Sequence, residues 1–436
     1  MAHTVNPDRT YHLLQQRLDR NVTGAPDSPV FTQILKLLFS TEEADIARQM
    51  PTQFTSLGRL ARKLEVDPAA LDDKLTRMAQ RGLVLDVERH GKRYFTLAPV
   101  VIGFFEFTFM RTRDNLPMAE LARLFEEYFF QDDHFARAVF SGETQIGRSL
   151  VREEGLPVGD HVEILDWERA SHIVETASSH AVSTCACRHH HSHLGTACER
   201  PQRTCLTFNY SAEMLVRNGI AEPISMSESM AILAQSKDAG LAQTADNVQR
   251  QVSYICNCCG CCCGMMTAIR RFDIRNAIVS SNWISDVDLA RCNGCGRCVK
   301  ACPTQAIEIV QGEPQGNKRP RWAVRDADLC LGCGVCYGAC THGAMHLQPR
   351  EQRVFTPETT FDRMVAMAIE RGKLAELILD NTEGWGYQAL GRMIQVLEAT
   401  PPYKAARAVK PLRSAFLNTI VSGVKASSGK AKDIMG

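Results

Sequence analysis

The chain contains 436 residues with a formal net charge of +1, and 44% of its residues are hydrophobic. This length allows two or three domains with a hydrophobic core, and the near-neutral charge favours neither nucleic acid nor membrane as a partner. No run of 18 apolar residues and no apolar signal-peptide core is present, so the sequence predicts a cytoplasmic protein that is not integral to a membrane. All 18 cysteines lie between Cys185 and Cys340, and such clustering indicates metal binding rather than disulfides.

The first predicted domain has the pattern of a winged helix. Helices are predicted over Ser56–Leu64 and 69–81, the second after an Asp67 cap. Alternating residues over Leu83–Glu88 and Arg93–Leu97 predict the two strands of a wing. Such folds often bind DNA, but nine Lys and Arg against six Asp and Glu over 51–100 are a thin surplus for phosphate binding. The pattern therefore favours protein docking or a structural role.

A Phe-rich linker and a cysteine-rich domain of mixed α/β structure are predicted next. Phe residues at mixed spacing over 100–150 are typical of a core or a subunit contact. Helices predicted over Trp167–Thr176 and Ser227–Ala239 would flank the cysteine-rich loops, with Ser227 at the start of the second helix.

Ten cysteines of this domain lack ferredoxin spacing. They are Cys185, Cys187, Cys198, Cys205, Cys256, Cys258, Cys259, Cys261, Cys262 and Cys263. Adjacent cysteines can face one centre only around a turn, for which Gly260 and Gly264 would supply conformational freedom. The pattern favours one or two additional iron–sulfur clusters as cofactors, without assigning ligands to each. A zinc site of Cys and His and a thiol/disulfide relay are the alternatives.

Two side chains beside the first of these motifs are predicted to contact the cofactor. Arg188 stays protonated, so it is expected to hydrogen-bond cluster sulfide or a nearby carboxylate rather than to act in catalysis. His190, in the histidine-rich run 189–193, is a candidate cluster ligand or proton donor. The alternative for this run is a solvated polar loop. The sequence identifies no catalytic residue.

The strongest motif is a repeated C-x2-C-x2-C-x3-C pattern in the segment 281–350. This spacing wraps three thiolates around one cluster and sends the fourth to the other cluster, so it predicts two [4Fe–4S] clusters. One ligand set comprises Cys292, Cys295, Cys298 and Cys340. The other set comprises Cys330, Cys333, Cys336 and Cys302. Structural zinc sites would not need this interleaved repeat.

Short strands predicted over Ala306–Val310 and Ala344–Leu347 follow the two cysteine runs, and the module closely resembles the bacterial two-cluster ferredoxin. Two features depart from that module. Residues 311–325 lengthen the link between the halves, which predicts a docking loop. Thr341 replaces the usual proline after the second run, which is expected to change the surroundings of the second cluster.

Residues 30–350 as a whole resemble a family of cysteine-rich iron–sulfur proteins of anaerobic bacteria. Its members combine a winged-helix-like N-terminal segment, a C-x-C-R…C…P-x3-C-L element, a C-N-C-C-x-C-C-C-G run and a two-cluster ferredoxin. The resemblance implies additional clusters, redox work and a low-oxygen setting, but no particular substrate.

The C-terminal segment is predicted to be helical over Phe361–Glu370, Leu374–Leu379 and Tyr387–Glu398. The tail 401–436 carries seven Lys and Arg and one Asp, which fits either a solvated tail or a docking arm for an acidic partner. No G-x-G-x-x-G motif and no P-loop is present, so the chain is predicted to lack its own nicotinamide or ATP site.

The sequence therefore predicts an α+β multidomain protein that relays electrons to a partner redox protein or oxidoreductase subunit. A reductase with chemistry at the cysteine-rich centre, and a redox-sensing winged-helix DNA-binding regulator, are the alternatives. The oligomeric state stays open. The predicted parts are an N-terminal extension (1–29), a winged-helix-like domain (30–99), a Phe-rich linker with the cysteine-rich iron–sulfur domain (100–280), a 2[4Fe–4S] ferredoxin-like domain (281–350), and a helical extension with a basic tail (351–436).

Overall fold

The computed structural model describes residues 8–112, 115–140, 142–157, 165–313 and 320–378. The chain folds into two compact units. The first comprises Met1–Thr108, Thr112–Thr144 and Glu358–Gly436, and the second comprises Phe109–Arg111 and Gln145–Pro357. The Phe-rich segment and the C-terminal helices thus belong to the same unit as the N-terminal helices.

Helices and strands both contribute to the described residues. The helices are α1 (Arg9–Asp19), α2 (Pro29–Leu38), α3 (Thr41–Gln49), α4 (Leu57–Leu64), α5 (Pro68–Gln80), α6 (Phe105–Phe109), α7 (Met118–Phe130), α8 (His134–Phe140), α9 (Ala170–Thr176), α10 (Ala186–His193), α11 (Asn209–Arg217), α12 (Met226–Asp238), α13 (Gly264–Phe272), α14 (Arg297–Ala301), α15 (Val335–Ala339), α16 (Thr360–Glu370) and α17 (Leu374–Ile378). The strands are β1 (Thr55–Ser56), β2 (Val84–Arg89), β3 (Lys92–Leu97), β4 (Gly147–Ser149), β5 (His180–Thr184), β6 (Arg203–Phe208), β7 (Glu222–Pro223), β8 (Ala242–Asp246), β9 (Tyr254–Cys258), β10 (Trp283–Val287), β11 (Ile307–Gln311), β12 (Arg321–Arg325) and β13 (Met345–Pro349).

In the first unit, α4 and α5 lie between β1 and β2 in the chain, and these strands form with β3 a small antiparallel sheet of order β1-β3-β2. The carboxylate of Asp67 accepts from the amide of Ala70 at 2.9 Å, and Pro68 lies in the first turn of α5, so this helix begins where the cap was predicted. Val84 pairs with Leu97 across the hairpin. Both predicted helices and both predicted strands lie within one residue of their expected ends.

Aromatic side chains fill the core of the first unit. Phe105 packs edge-on against Phe125 and Phe129, with ring centroids 5.1 and 4.9 Å apart. Phe129 also contacts Phe135 at 4.4 Å. Since Phe104 and Phe125 are fully buried, the prediction that these residues form a core is confirmed.

The second unit is built on a six-stranded sheet of order β4-β8-β9-β6-β5-β7. Neighbouring strands of this sheet pair antiparallel. Apolar side chains of β5, β6 and β9 pack against α9 and α12 in one buried cluster, and burying such side chains stabilises the sheet by about 1.5–3 kcal/mol each. The cluster includes Ile173, Val174, Val182, Leu206, Ile232, Leu233 and Ile255. This core holds the strand ends that carry the central cysteines.

The ferredoxin-like part of the second unit consists of two antiparallel strand pairs and the short helices α14 and α15. β10 pairs with β13, and β11 pairs with β12. The strands predicted after the two cysteine runs are therefore present as β11 and β13. The docking loop predicted over 311–325 is wrong at its C-terminal end, because Arg321–Arg325 forms β12, and residues 314–319 lie outside the described residues.

Three further expectations need correction or fall outside the described residues. Helix α12 is capped by Ser225, whose hydroxyl accepts from the amide of Glu228 at 3.1 Å, and not by Ser227. The histidine-rich run forms α10 and is not a loop. The helix expected over Tyr387–Glu398 and the basic tail lie outside the described residues. Within the described chain, no helix combines the length and the apolar character needed to cross a membrane.

The buried carboxyl group of Glu106 makes the stability of the first unit depend on pH. Burial raises its pKa from 4.5 to about 7 although the amide of Gly103 donates to the carboxylate at 2.8 Å. A carboxyl group whose pKa is higher in the folded protein stabilises the fold fully below its pKa in the unfolded chain. This stabilisation is lost as the pH rises through its pKa in the folded protein. We therefore expect wild-type Tm to fall relative to Glu106→Gln between about pH 5 and about pH 8. Parallel Tm curves for the two proteins in thermal melts would contradict this.

Candidate metal centres

The eight ferredoxin-type cysteines lie on two matching loop-helix segments. Cys298 lies in α14 and Cys336 lies in α15, and Cys302 and Cys340 follow directly after these helices. The loops turn sharply: Gly294 has a φ of +67° and a Cβ there would lie 2.6 Å from the Cβ of Arg321. Only glycine allows this conformation together with the close approach.

Cys302 packs beside Cys330 of the other run in a buried apolar cluster with Ile284 and Ala306. Burial raises the pKa of Cys333 well above its ordinary value, and the charges of Cys336, Cys302 and Cys330 add to this effect. Burial likewise raises the pKa of Cys298, and the charges of Cys292 and Cys295 from its own run add to this effect. The structure thus brings Cys302 to the second run, as the interleaved assignment expects; the ligand assignment itself stays a prediction.

Backbone amides point at three of these sulfurs. Ala306 N lies 3.2 Å from Cys302 Sγ, Ala323 N lies 3.4 Å from Cys292 Sγ, and Ala344 N lies 3.3 Å from Cys340 Sγ. For Cys340 burial alone would raise the pKa, but the amide of Ala344 and neighbouring amides lower it below the ordinary value. Amide donors to thiolate sulfur are what an iron–sulfur site needs, so these residues fit the cluster.

Thr341 contacts the first cysteine run. Its hydroxyl accepts a hydrogen bond from Arg297 Nη1 at 2.8 Å, and Arg297 lies between Cys295 and Cys298. Thr341 therefore contributes to the surroundings of the first run, and the expected change at the second cluster stays a prediction.

The ten central cysteines divide into two groups. The first, called here the four-cysteine group, consists of Cys198, Cys259, Cys261 and Cys262, whose sulfurs all lie within 4.8 Å of one another. Three of the sulfur–sulfur distances are 3.8, 3.9 and 3.8 Å, for Cys198–Cys259, Cys198–Cys262 and Cys261–Cys262. Cys259 and Cys262 are buried and Cys261 is exposed.

The second set, called here the six-cysteine group, comprises Cys185, Cys187, Cys205, Cys256, Cys258 and Cys263. Hydrogen bonds with Cys205 and Cys258, together with burial, raise the pKa of Cys256 well above its ordinary value. Hydrogen bonds from Cys256 and Cys263 lower the pKa of Cys258 to about 6, and the hydroxyl of Thr244 lies 3.2 Å from its sulfur. These contacts join thiols from β6, β9 and the start of α13.

Arg188 is fully buried between the two groups. Its Nη1 lies 3.0 Å from Asn257 O and 3.9 Å from Cys259 Sγ, and its Nη2 donates to Thr204 Oγ1. Burial lowers the pKa of Arg188, but the charges of Cys185, Cys259 and Cys258 raise it by more, so the net shift of its pKa is upward. These partners are a carbonyl, a thiol and a hydroxyl, so of the two expected contacts Arg188 makes the one with sulfur and not the one with a carboxylate.

The histidines of α10 contact Phe109 and one another. The ring of the buried His190 packs edge-on against Phe109 with centroids 5.2 Å apart. His189 Nδ1 lies 2.7 Å from Phe109 O, and His193 Nε2 lies 3.2 Å from His189 Nε2. The four-cysteine group contains no histidine among the residues described. The role of His190 as a cofactor contact stays a prediction.

The turn of the four-cysteine group touches the ferredoxin-like part. A Cβ on Gly260 would lie 2.6 Å from Pro303 O and 2.9 Å from Pro303 Cα. Neither Gly260 nor Gly264 has a positive φ. The turn therefore does not depend on the conformational freedom that the sequence led us to expect of these glycines. Gly260 is required for close approach, and this contact places Cys259 and Cys302 on adjoining segments.

Residues 291–344 match the family model of the 4Fe-4S dicluster domain. No curated protein matches the chain, and no solved structure matches it. The match confirms the predicted ferredoxin-like iron–sulfur module and supports an iron–sulfur electron-transfer role. The resemblance of residues 30–350 to a cysteine-rich family, the number of clusters and the additional clusters stay predictions.

The buried charge of Arg188 gives a stability prediction. We expect Arg188→Met to lower the stability of the second unit by about 3–5 kcal/mol, because it leaves buried thiolates without their compensating cation. Arg188→Lys keeps the charge and should lose less. The check is an anaerobic thermal melt with metal analysis of each variant. Arg203→Met, which removes an exposed arginine of the same unit that pairs with Glu222 and Glu228 at the surface, is the control and should cost about 1 kcal/mol or less. An Arg188→Met protein that melts like this control would contradict the account.

Proposed function

We propose that this protein is an electron carrier in which the ferredoxin-like module exchanges electrons with an additional iron–sulfur cluster at the six-cysteine group. The observation that carries the proposal is the contact of Gly260 with Pro303. It joins the segment that follows Cys302 to the turn that follows Cys258, so the two redox regions would meet where these backbone segments touch.

The ferredoxin-like module would hold two [4Fe–4S] clusters in the interleaved arrangement. Cys292, Cys295, Cys298 and Cys340 would hold the first, and Cys302, Cys330, Cys333 and Cys336 the second. The packing of Cys302 beside Cys330 supports this assignment. When bound, each cluster would accept or release one electron at a time. The amides of Ala306, Ala323 and Ala344 would stabilise the added negative charge on the sulfurs.

Exposure favours the first run as the side that a redox partner reaches. Cys295 is exposed, whereas Cys330 and Cys336 are buried. Leu289, just before this run, is 63% exposed and would lie within the surface that such a partner covers. The partner would be a one-electron donor or acceptor protein or an oxidoreductase subunit, since the sequence has no nicotinamide or ATP motif of its own.

We propose that the small sheet of the first unit, with α4 and α5, forms a winged helix that serves protein docking. The basic residues on and beside α5 are already engaged in ion pairs: Lys74 with Glu42, Arg77 with Asp73, Arg81 with Glu43, and Arg93 with Asp72. Cations paired in this way are poorly placed to neutralise DNA phosphates. This observation disfavours the regulator hypothesis.

A matched pair of variants tests the interleaved assignment. Cys302→Ser should remove the cluster of Cys330, Cys333 and Cys336, and Cys340→Ser should remove the other one. Each variant should lose about four irons per chain. The cysteines freed in each case are identified by alkylation and mass spectrometry of the anaerobic protein. If Cys302→Ser exposes Cys292 and its neighbours instead, the assignment is wrong.

The proposed exchange is tested at the contact itself. Gly260→Ala inserts a methyl group 2.6 Å from Pro303 O, so we expect the segments to separate and reduction of the central cluster to slow several-fold. Rapid mixing with a one-electron reductant, followed by freeze-quench electron paramagnetic resonance, measures this rate. Reduction of the ferredoxin clusters should keep its wild-type rate. Gly58→Ala, where a Cβ meets nothing within 4 Å, is the control. An unchanged central rate in Gly260→Ala would contradict the proposal.

A further inference from the structure

The four-cysteine group differs from the other cysteines in how closely its sulfurs approach. Three of its sulfur–sulfur distances are 3.8–3.9 Å, and all four sulfurs lie within 4.8 Å of one another. A tetrahedral zinc ion with bonds of about 2.3 Å to sulfur places its four sulfurs about 3.8 Å apart. In a [4Fe–4S] cluster each thiolate binds a different iron, so the four sulfurs must lie considerably farther from one another. The observed spacing therefore fits four ligands that share one ion.

The ferredoxin-like module provides an internal comparison. Among the described residues, no three of its eight cysteines bring their sulfurs within 4.8 Å of one another, and no three of the six-cysteine group do so. The close spacing is thus a property of one group and not of cysteines in this structure generally.

We infer that Cys198, Cys259, Cys261 and Cys262 bind a single zinc ion. Tetrahedral coordination by four sulfurs is typical of zinc, and its d¹⁰ configuration gives it no redox chemistry. The sequence favoured iron–sulfur ligation for these four residues, and the structure leads us to replace that assignment.

The charges around the group match this ion. Four thiolates and one Zn²⁺ carry a net charge of −2 that does not change during electron transfer. Two arginines face the sulfurs: Arg188 Nη1 lies 3.9 Å from Cys259 Sγ, and Arg200 Nη1 lies 3.8 Å from Cys261 Sγ. Arginine is permanently protonated, so two fixed positive charges balance a fixed −2.

The ion would have a structural role. Cys198 lies 61 residues before Cys259 in the chain, and one ion bound to both would tie the loop after α10 to the turn that contains Gly260. That turn is the one in contact with Pro303. The zinc site would thereby hold the turn in place, while the six-cysteine group would be left for the additional cluster. The inference does not depend on electron transfer, since it concerns zinc content and coordination alone.

The test is metal analysis and X-ray absorption on the full-length protein purified anaerobically. We expect about one zinc per chain, and a zinc-edge spectrum of four sulfurs at about 2.3 Å. Cys261→Ser, which changes the exposed ligand, should lose most of this zinc and keep its iron and acid-labile sulfide. Cys295→Ser is the matched control, an exposed cysteine of the ferredoxin-like module, and should lose iron and keep zinc.

Two outcomes would overturn the inference. One is wild-type protein without zinc in which Cys261→Ser loses iron and sulfide, which would make the group a cluster site. The other is a single iron without sulfide in place of zinc. If Cys261→Ser fails to fold, the zinc content and edge spectrum of the wild-type protein decide the question without it.

Discussion

Repulsion among closely packed thiolates is the constraint on which the rest of the second unit depends. Burial and neighbouring sulfurs raise the pKa values of Cys256, Cys262 and Cys263, because a second negative charge cannot form easily beside the first. Arg188 supplies one buried counter-charge, and bound cations would supply the others. Metal binding and folding of this unit are therefore expected to be coupled, as in other proteins whose ligands meet only in the folded state.

The spacing of the sulfurs then separates two kinds of site within one fold. In the ferredoxin-like module and in the six-cysteine group, no three described sulfurs all lie within 4.8 Å of one another, which suits clusters in which each thiolate serves its own iron. Close spacing in the four-cysteine group suits one ion that only holds chain segments together. The proposed zinc ion would hold the turn whose Gly260 contacts Pro303, and the two proposed redox regions would meet at that turn.

Local patterns in the sequence were sufficient to predict the ferredoxin-like module and several helices and strands of the first unit. The C-x2-C-x2-C-x3-C repeat predicted the ferredoxin-like module, and the Asp67 cap and the alternating strands predicted the elements of the first unit, because caps, turns and periodicity depend on near neighbours. The division of the ten central cysteines was not predictable in this way. It depends on Cys198 meeting Cys259 from 61 positions away. Likewise, the role of Gly260 depends on Pro303, which no local pattern reveals.

Anomalous X-ray diffraction from anaerobically grown crystals, recorded at the iron and zinc edges, tests the division of the cysteines most directly. The account predicts iron clusters at the two interleaved ferredoxin sites and at the six-cysteine group, and a single zinc peak surrounded by Cys198, Cys259, Cys261 and Cys262. An iron cluster within that four-cysteine group, or no metal at the six-cysteine group, would contradict it.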